Sequence, residues 1–298
     1  MTNIIYRQCP ACGSNSILKQ LSAKDYTVSQ TDFEIWHCDS CTLRFTQNVP
    51  DAANIGSYYQ SSNYVSHSDT KKGFINRLYH VVRNYTLQSK RKLVEKVTGI
   101  HAGALLDIGS GTGYFAHTMQ HAGWKVTGLE PDSSARNVAI EKYAMHLQSP
   151  EVLYTLPNDS FDAITMWHVL EHVHDLHGYW DKFGSLLKKD GRLIIAVPNY
   201  TSYDAQTYNE YWAAYDVPRH LYHFSPESLQ LLAQQKGFTV EAYKPMWFDS
   251  FYVSMLSEQC KNGKGNLPGA LVKGFISNLK TMNDSKKCSS VIYVLRKA

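Results

Sequence analysis

The chain has 298 residues, of which 43% are hydrophobic and 19% charged, and its formal net charge is +4. This composition can bury a full core, which excludes a disordered, collagen-like or fibrous protein. The net charge is too weak to create an overall field for nucleic acid. No apolar run approaches the roughly 18 residues of a membrane-spanning helix, and the first residues lack the pattern of a signal peptide. We therefore expect a cytoplasmic protein with neither a membrane nor a nucleic-acid partner.

Two CxxC pairs lie near the beginning of the chain. Cys9 and Cys12 form the first pair, and Cys38 and Cys41 form the second. Two tight turns that each carry two thiolates supply the tetrahedral four-sulfur shell that Zn²⁺ prefers. A redox motif would occur once, at a strand-to-helix turn, and four unrelated free thiols are the other alternative. The sequence predicts a structural zinc site, which is closed to substrate because four sulfurs complete it.

The predicted secondary structure and the composition divide the chain into three regions. Residues 1–50 are predicted to form a small zinc-ribbon-like β module with strands at Thr27–Trp36 and Leu43–Gln47. Residues 51–100 are predicted to form a helical, tyrosine-rich lid or linker with one or two helices over Phe74–Val97. In this region Tyr58, Tyr59 and Tyr64 either close over a ligand or have a structural role. Residues 101–298 form the third region.

The predicted lid helix is basic. Between Lys71 and Lys96 there are eight Lys or Arg residues and a single acid, Glu95. Such a run is either a solvated helix face or a surface that attracts an acidic substrate such as a phosphate, diphosphate or carboxylate.

From residue 101 onward, short apolar runs alternate with helical segments. This rhythm indicates an α/β fold with a doubly wound, mostly parallel sheet and helices on both faces. Strands are predicted at Ala104–Ile108, Lys125–Glu130, Phe161–Trp167, Arg192–Val197, Phe238–Tyr243 and Val291–Leu295. Helices are predicted at Tyr114–Ala122, Ser133–Tyr143 and Tyr179–Leu187, and another begins at Ser225-Pro226 and ends at Gly237.

A glycine-rich turn follows the first of these strands. Its glycines allow a sharp turn and a close approach of the backbone to a ligand. Glu130, at the end of the next strand, lies at the distance where a carboxylate accepts both hydroxyls of a ribose. A dinucleotide and an adenosine without phosphate both fit that pattern. Asp107, at the entrance of the turn, would repel a pyrophosphate but suits a cationic amine such as that of S-adenosylmethionine (SAM).

Three successive motifs resemble those of class I SAM-dependent methyltransferases. They are Asp107-Ile-Gly109-Ser-Gly111-Thr-Gly113, Glu130-Pro-Asp132 and the run Phe161 to Val173. The resemblance spans roughly Leu105 to the end of the chain and implies a seven-stranded sheet whose last strand is inserted antiparallel beside the sixth. A four-cysteine module ahead of such a domain resembles a branch that includes sugar C-methyltransferases acting on nucleotide sugars.

The resemblance also implies the residues of the cofactor site. The glycine-rich turn would line the methionine and ribose of SAM, Asp107 would hold its amino end, and Glu130 would bind the ribose hydroxyls. Two residues would lie near the adenine, and two more would flank the methyl-bearing sulfur. The complete set is Asp107, Gly109, Ser110, Gly111, Gly113, Glu130, Gln148, Ser149, Trp167 and His168.

Histidines are the candidate bases, since their unperturbed pKa of about 6.5 suits proton transfer near neutrality. His220 and His223 lie after the predicted fifth strand, where this fold places a substrate lid, and His168 is the second choice. The neighbouring Arg219 could bind a phosphate or carboxylate. In the sugar C-methyltransferases a Tyr and a Glu accompany the histidine that corresponds to His220. Val217 and Arg219 stand there in this chain, so that chemistry does not carry over directly.

A competing pattern is His168-Val-Leu-Glu171-His172, which fits the H-x-x-E-H of some zinc peptidases. It also resembles the E-x-x-E-H of quinone-biosynthesis O-methyltransferases, in which the acids and the histidine hold Mg²⁺. Here His168 replaces the first carboxylate, which disfavours a hard cation.

The sequence therefore predicts a SAM-dependent methyltransferase with a structural Zn²⁺ site. The expected acceptor is a small polar molecule, a sugar or a nucleotide-linked metabolite, acidic or phosphate-bearing, methylated on oxygen or carbon. The protein is expected to be a monomer or a dimer. The alternatives are an NAD-dependent oxidoreductase, a zinc-ribbon nucleic-acid-binding protein and a metallopeptidase.

Overall fold

The computed structural model of the protein describes residues 3–60 and 74–298, and of residues 74–81 it describes only the backbone. Tyr64 of the predicted lid and Lys71 of the basic run lie outside the described residues.

The N-terminal region is built of short antiparallel strands. They are β1 (Asn3–Ile4), β2 (Ile17–Lys24), β3 (Asp32–Cys38), β4 (Arg44–Thr46) and β5 (Val49–Pro50). The strand expected from Thr27 begins five residues later, at Asp32. The reason is that the Asp25 carboxylate accepts hydrogen bonds from the backbone N–H groups of Thr27, Val28 and Ser29, which closes a turn there.

The rest of the chain alternates helices and strands. In order they are α1 (Phe74–Thr98), β6 (Ala104–Ile108), α2 (Tyr114–His121), β7 (Lys125–Leu129), α3 (Ser133–Tyr143), β8 (Phe161–Trp167), α4 (Leu176–Leu186), β9 (Leu187–Pro198), α5 (Tyr203–Tyr208), β10 (Tyr222–His223), α6 (Pro226–Gln235), β11 (Phe238–Pro245), α7 (Asp249–Asn262), α8 (Leu267–Thr281) and β12 (Ser290–Lys297). Short 3-10 turns occur between several of them, including Leu170–His172 directly after β8.

The main sheet confirms the predicted fold class. Its order is β11-β12-β9-β8-β6-β7, with parallel pairing from β9 to β7 and with β12 antiparallel to both of its neighbours. The described sheet has six strands instead of the expected seven. Gln148 makes only a single parallel bridge to Leu129. The chain then turns into a 3-10 helix that begins at Pro150, whose missing N–H cannot extend a ladder.

The N-terminal strands share a sheet with the loop that follows β9. This second sheet has the order β10-β4-β3-β2, and β10 pairs antiparallel with β4. The Thr46 hydroxyl and N–H also donate to the His220 and Leu221 carbonyls, at 2.7 and 2.9 Å. The N-terminal region is thereby hydrogen-bonded to the segment expected to form the substrate lid.

A buried carboxylate joins the segment after β9 to the C-terminal helices. Asp204, which is fully buried, accepts hydrogen bonds from Trp212 Nε1 at 3.0 Å, Ser277 Oγ at 2.8 Å and Ser289 Oγ at 2.7 Å. These donors come from the lid segment, from α8 and from the residue before β12. Asp204 is therefore one of the contacts that fix the position of α8. Among the described residues, no helix is both long and apolar enough to cross a membrane.

We expect Asp204→Ala to lower the free energy of unfolding by about 3–5 kcal/mol, because it leaves three buried donors without their acceptor. Urea denaturation followed by far-ultraviolet circular dichroism measures the change. Asp181→Ala, which removes an exposed carboxylate on α4, is the matched control and should change stability by less than about 0.5 kcal/mol. An equal effect of the two substitutions would contradict the anchoring role of Asp204.

Candidate active site and four-cysteine cluster

The four predicted cysteines come together at one point. Cys9 Sγ lies 3.5 Å from Cys41 Sγ and Cys12 Sγ lies 3.6 Å from Cys38 Sγ, and all four sulfurs lie within 4.8 Å of one another. A tetrahedral shell with metal–sulfur distances of ~2.3 Å has sulfur–sulfur edges of roughly 3.8 Å, close to these values. None of the four is in a disulfide. The donor set therefore fits a tetrahedral, thiolate-binding ion.

Two equivalent turns hold these sulfurs. Gly13 N–H donates to the Cys9 carbonyl and Thr42 N–H to the Cys38 carbonyl, both at 2.9 Å. Gly13 and Thr42 have left-handed φ values of 73° and 60°. Glycine adopts this conformation without strain, whereas a β-branched residue rarely does.

The glycine-rich turn between β6 and α2 leaves space for a ligand. Gly109, Gly111 and Gly113 all have positive φ. A Cβ added at Gly109 would lie 2.2 Å from Val169 Cγ2, whereas a Cβ at Gly111 would meet no atom within 4 Å. Gly109 is therefore required by packing against the protein, and the turn is open at Gly111.

Glu130 lies at the edge of this turn. Its Oε2 accepts from Gly111 N–H at 2.7 Å and its Oε1 from Asp132 N–H at 3.0 Å. Each carboxylate oxygen can accept a further hydrogen bond. Glu130 N–H donates to the Gln148 carbonyl at 2.8 Å, which places Gln148 and the following Ser149 beside the carboxylate. The residues expected at the ribose and adenine are therefore neighbours.

Two opposite charges lie close together here, the buried Asp107 and the partly buried Lys90. The Asp107 carboxylate accepts from Thr165 Oγ1 at 2.7 Å, and burial raises its pKa to about 6. On α1, burial lowers the pKa of Lys90 to about 8, although Asp249 and Asp107 favour its charge. Lys90 Nζ lies 4.3 Å from the centre of the Trp167 ring. Sequence reasoning did not single out Lys90, but it belongs to the basic run of α1.

His168 does not have the environment of a base. Its Nε2 lies 2.9 Å from Asp249 Oδ2 and its Nδ1 lies 3.3 Å from Glu171 Oε1. Burial disfavours the charged ring, but these two carboxylates outweigh it and raise the pKa of His168 to about 10. The ring is therefore protonated near neutral pH. The expectation that His168 accepts a proton does not fit this environment, and its charge instead balances the buried Glu171 and the partly buried Asp249.

His172 and His220 lie edge to face, with their ring centres 4.5 Å apart. His172 Nδ1 lies 3.0 Å from the Arg219 carbonyl, and His220 Nδ1 lies 2.8 Å from the Ala214 carbonyl. A carbonyl can only accept, so in both rings Nδ1 carries a proton, and in the neutral form of either ring the lone pair lies on Nε2. Burial, and then the neighbouring His220, lower the pKa of His172 to about 4, so this ring is neutral.

A carboxylate completes this group. One potential ligand atom from each of Glu171, His172 and His220 lies within 4.8 Å of the other two. Glu171 is fully buried, and its Oε2 has no hydrogen-bond donor among the described residues. The Tyr59 hydroxyl lies 3.0 Å from His172 Nδ1, so the lid region reaches this point as well. Acceptor atoms that converge in this way can take up a proton or a cation.

The structure separates the two histidines of the H-x-x-E-H pattern. His168 has a left-handed φ of 58°, so β8 does not continue directly into a regular helix. Its ring faces Asp249, whereas His172 lies against Arg219 and His220. A peptidase-like site with both histidines as ligands is therefore not formed.

Two other lid residues have contacts that differ from the expectation. His223 Nε2 lies 3.0 Å from Thr46 Oγ1, and burial holds the pKa of this histidine well below its usual range. Its ring packs edge-on against Tyr215 at the sheet junction. The fully buried Arg219 is paired with Asp216 and with the more distant Asp25, at 3.5 Å for the latter. Its charge is already balanced within the protein, so it is not a phosphate or carboxylate clamp.

Comparison with known proteins agrees with this geometry. A family model described as a methyltransferase domain matches residues 81–243, more than half of the chain. Among curated relatives, the ubiquinone biosynthesis O-methyltransferase of Pelagibacter ubique (strain HTCC1062) is 28% identical over 131 residues, covering 41% of this chain and 50% of that protein. The Haemophilus ducreyi (strain 35000HP / ATCC 700724) enzyme of the same name is 34% identical over 117 residues, covering 36% and 50%. The demethylmenaquinone methyltransferase of Tropheryma whipplei (strain Twist) is 25% identical over 179 residues, covering 57% and 71%.

The chain spans about half the length of the ubiquinone-biosynthesis relatives that it matches. Solved structures share its fold at lower sequence identity. Magnesium protoporphyrin IX methyltransferase from Synechocystis PCC 6803 has a TM-score of 0.53 at 14% identity, covering 83% of this chain and 100% of that one. A SAM-dependent methyltransferase from Archaeoglobus fulgidus has a TM-score of 0.50 at 19% identity, covering 76% and 100%. The chain therefore belongs to the methyltransferase domain family and has the fold of the class I SAM-dependent methyltransferases.

Proposed function

We propose that the protein transfers a methyl group from SAM to a small-molecule acceptor. The observation that supports this most directly is the arrangement at the carboxyl edge of the main sheet. There a turn open at Gly111 lies between the carboxylates of Glu130 and Asp107. Asp107 disfavours a dinucleotide, because its carboxylate would face the pyrophosphate, whereas Glu130 suits the ribose of either ligand.

The charges of Asp107, Lys90 and Glu130 complement the charged and polar groups of SAM. SAM supplies an activated methyl group on a positively charged sulfur and carries an amine and a carboxylate. Burial raises the pKa of Asp107 to about 6. A cationic amine beside this carboxylate would supply the opposite charge that it lacks. Lys90 offers an ammonium group of the opposite sign to a carboxylate. Glu130 has the acceptor capacity for a ribose diol.

His220 is the base that we propose. A hydroxyl or carbon acceptor must lose a proton as it gains a methyl group, and a positioned histidine can take that proton. The Ala214 carbonyl accepts from Nδ1 of His220, so a neutral His220 ring would offer Nε2 to the proton. The neighbouring His172 is held by the Arg219 carbonyl in the same way. Because its pKa is lowered to about 4, His172 is neutral and places no positive charge beside His220 before the proton is transferred. His168 supplies fixed positive charge, and His223 supports the lid.

The acceptor is proposed to carry a hydroxyl. Two of the relatives reported above are named O-methyltransferases, whereas the four-cysteine module resembles a branch that acts on sugars. Incubation with labelled SAM and either a saccharide extract or a lipid extract shows which of these two classes contains the acceptor, because only the extract with the acceptor becomes labelled. Label found only in protein or RNA would contradict a small-molecule acceptor.

Calorimetric titration with S-adenosylhomocysteine tests the cofactor assignment. We expect the wild-type protein to bind it and Glu130→Ala to bind roughly a hundredfold more weakly, because two charge-assisted hydrogen bonds to the ribose are lost. Glu141→Ala, on the neighbouring helix α3, is the control and should bind like the wild type. Tight binding of NADH in place of S-adenosylhomocysteine would contradict the proposal.

Replacement of the proposed base should separate chemistry from binding. We expect His220→Ala to lower the rate of methyl transfer by about 10²–10⁴ and to leave S-adenosylhomocysteine affinity unchanged. His101→Ala replaces a histidine whose side chain is 95% exposed and should have no effect. An unaffected methyl-transfer rate in His220→Ala would rule out this base.

We also propose that the four cysteines hold a structural zinc ion. The measured sulfur–sulfur distances match a four-thiolate shell, and the site would brace β4 and thus the lid strand β10. Metal analysis of the purified protein should find about one zinc per chain, lost in Cys9→Ser/Cys12→Ser.

Cys260→Ser/Cys288→Ser, which removes the other two cysteines, is the control and should retain the metal. A metal that persists in Cys9→Ser/Cys12→Ser but disappears in Glu171→Gln would place the ion at the histidine group instead, and would overturn both the zinc assignment and the role of His220 as a base.

A further inference from the structure

Helix α8 presents its small residues to the protein and its large apolar residues outward. Ala270, Ser277 and Thr281 are at most 2% exposed. Gly274 lies so close to α7 that an added Cβ would meet Phe251 Cδ1 at 2.7 Å and Phe251 Cα at 3.0 Å. The contact with the protein is therefore made by residues that have little apolar surface to bury.

The opposite face of α8 carries the large side chains. At about 100° per residue they cover an arc of roughly 140°. Six of them, including Met282 just after the helix, are between 47% and 70% exposed: Leu267, Leu271, Val272, Phe275, Leu279 and Met282. A surface helix of a globular protein normally turns such a stripe toward the core. Contiguous exposed apolar surface of this kind marks an interaction site.

Aromatic residues at the beginning of α7 extend this surface. Asn278 Nδ2 of α8 donates to the Trp247 carbonyl at 2.8 Å. Trp247 and the next residue, Phe248, are both exposed large hydrophobic residues. Phe248 in turn packs edge-on against Tyr85 of α1, with ring centres 5.9 Å apart. We call the outward side chains of α8, together with Trp247 and Phe248, the apolar face.

The chain around the apolar face is positively charged. From Gln259 to Met282 the sequence has four lysines and neither Asp nor Glu. Lys273 is paired with Glu258, whereas Lys261, Lys264 and Lys280 are exposed. A twofold contact between two copies through this face would bring their lysines together, and the stretch has no acid to compensate. An apolar stripe with lysines beside it instead complements an anionic lipid surface.

We propose that the apolar face docks the protein on the surface of a membrane that contains anionic lipid, contrary to the expectation from the sequence that the protein has no membrane partner. The apolar side chains would enter the boundary between headgroups and acyl chains, and the lysines would remain at the phosphates. Helix α8, with 15 residues, is roughly 22 Å long and too short for a hydrocarbon core of about 30 Å. It would therefore lie in the plane of the surface. The Phe248 of this face precedes Asp249, the partner of His168, so the docked surface adjoins the candidate active site.

Vesicle sedimentation of the full-length protein tests this docking. We expect binding to vesicles of phosphatidylcholine mixed with phosphatidylglycerol, and binding at least about tenfold weaker to phosphatidylcholine alone. Leu271→Ser/Phe275→Ser should weaken binding to the mixed vesicles by about tenfold or more, because both side chains lose their burial in lipid. Lys264→Gln/Lys280→Gln should weaken it by a similar factor and reduce its dependence on salt.

The matched control is Ile140→Ser/Lys125→Gln, which changes an exposed apolar residue and an exposed lysine at the opposite edge of the main sheet. It should sediment like the wild type. All variants should retain S-adenosylhomocysteine binding, which separates failure of docking from failure of the proposed activity. The proposal is overturned by a wild-type protein that binds neither type of vesicle. It is equally overturned by a lipid-free dimer that Leu271→Ser/Phe275→Ser converts to monomers without any change in vesicle binding.

Discussion

The pairing of β10 with β4 is the contact on which the geometry of the candidate site depends. It joins the four-cysteine region to the lid segment, where Thr46 holds the His220 carbonyl. On the other side of the lid, Leu221 N–H donates to the Glu171 carbonyl at 2.7 Å, directly after β8. The lid is thus fixed from both sides, and His220 lies against His172 as a result. The four-cysteine β module can in this way position a residue of the methyltransferase domain.

Charge balance in the crevice is achieved by opposite charges that come from different parts of the chain. Asp107 ends a strand and Lys90 lies on α1, while His168 and Asp249 come from the segments after β8 and β11. An isolated buried charge is costly, whereas a paired one is tolerated. His168 is therefore protonated between two carboxylates. Asp107 has a raised pKa, and a cationic ligand beside it would lower that pKa again. A site of this kind favours a ligand that brings its own positive charge.

Local pattern predicted the elements that carry the cofactor turn, and it failed where a residue's partner lies far away in the chain. The strands Ala104–Ile108 and Phe161–Trp167 were predicted with their observed bounds. The role of Arg219 was not, because besides the nearby Asp216 its side chain contacts Asp25 and Thr27, which are 194 and 192 residues away. The single bridge at Gln148 in place of a seventh strand follows from Pro150, a local signal that the resemblance to the family outweighed.

By itself, the sequence determined the doubly wound fold, the glycine turn with Glu130 and the two cysteine pairs, since each depends on periodicity or on spacing within a short segment. Only the tertiary structure decided which histidines lie together, which one is charged, and that α8 turns its apolar side outward. Hydrogen-bond partners and burial set those properties. Both arise from segments that are distant in the chain and meet only when the sheets assemble.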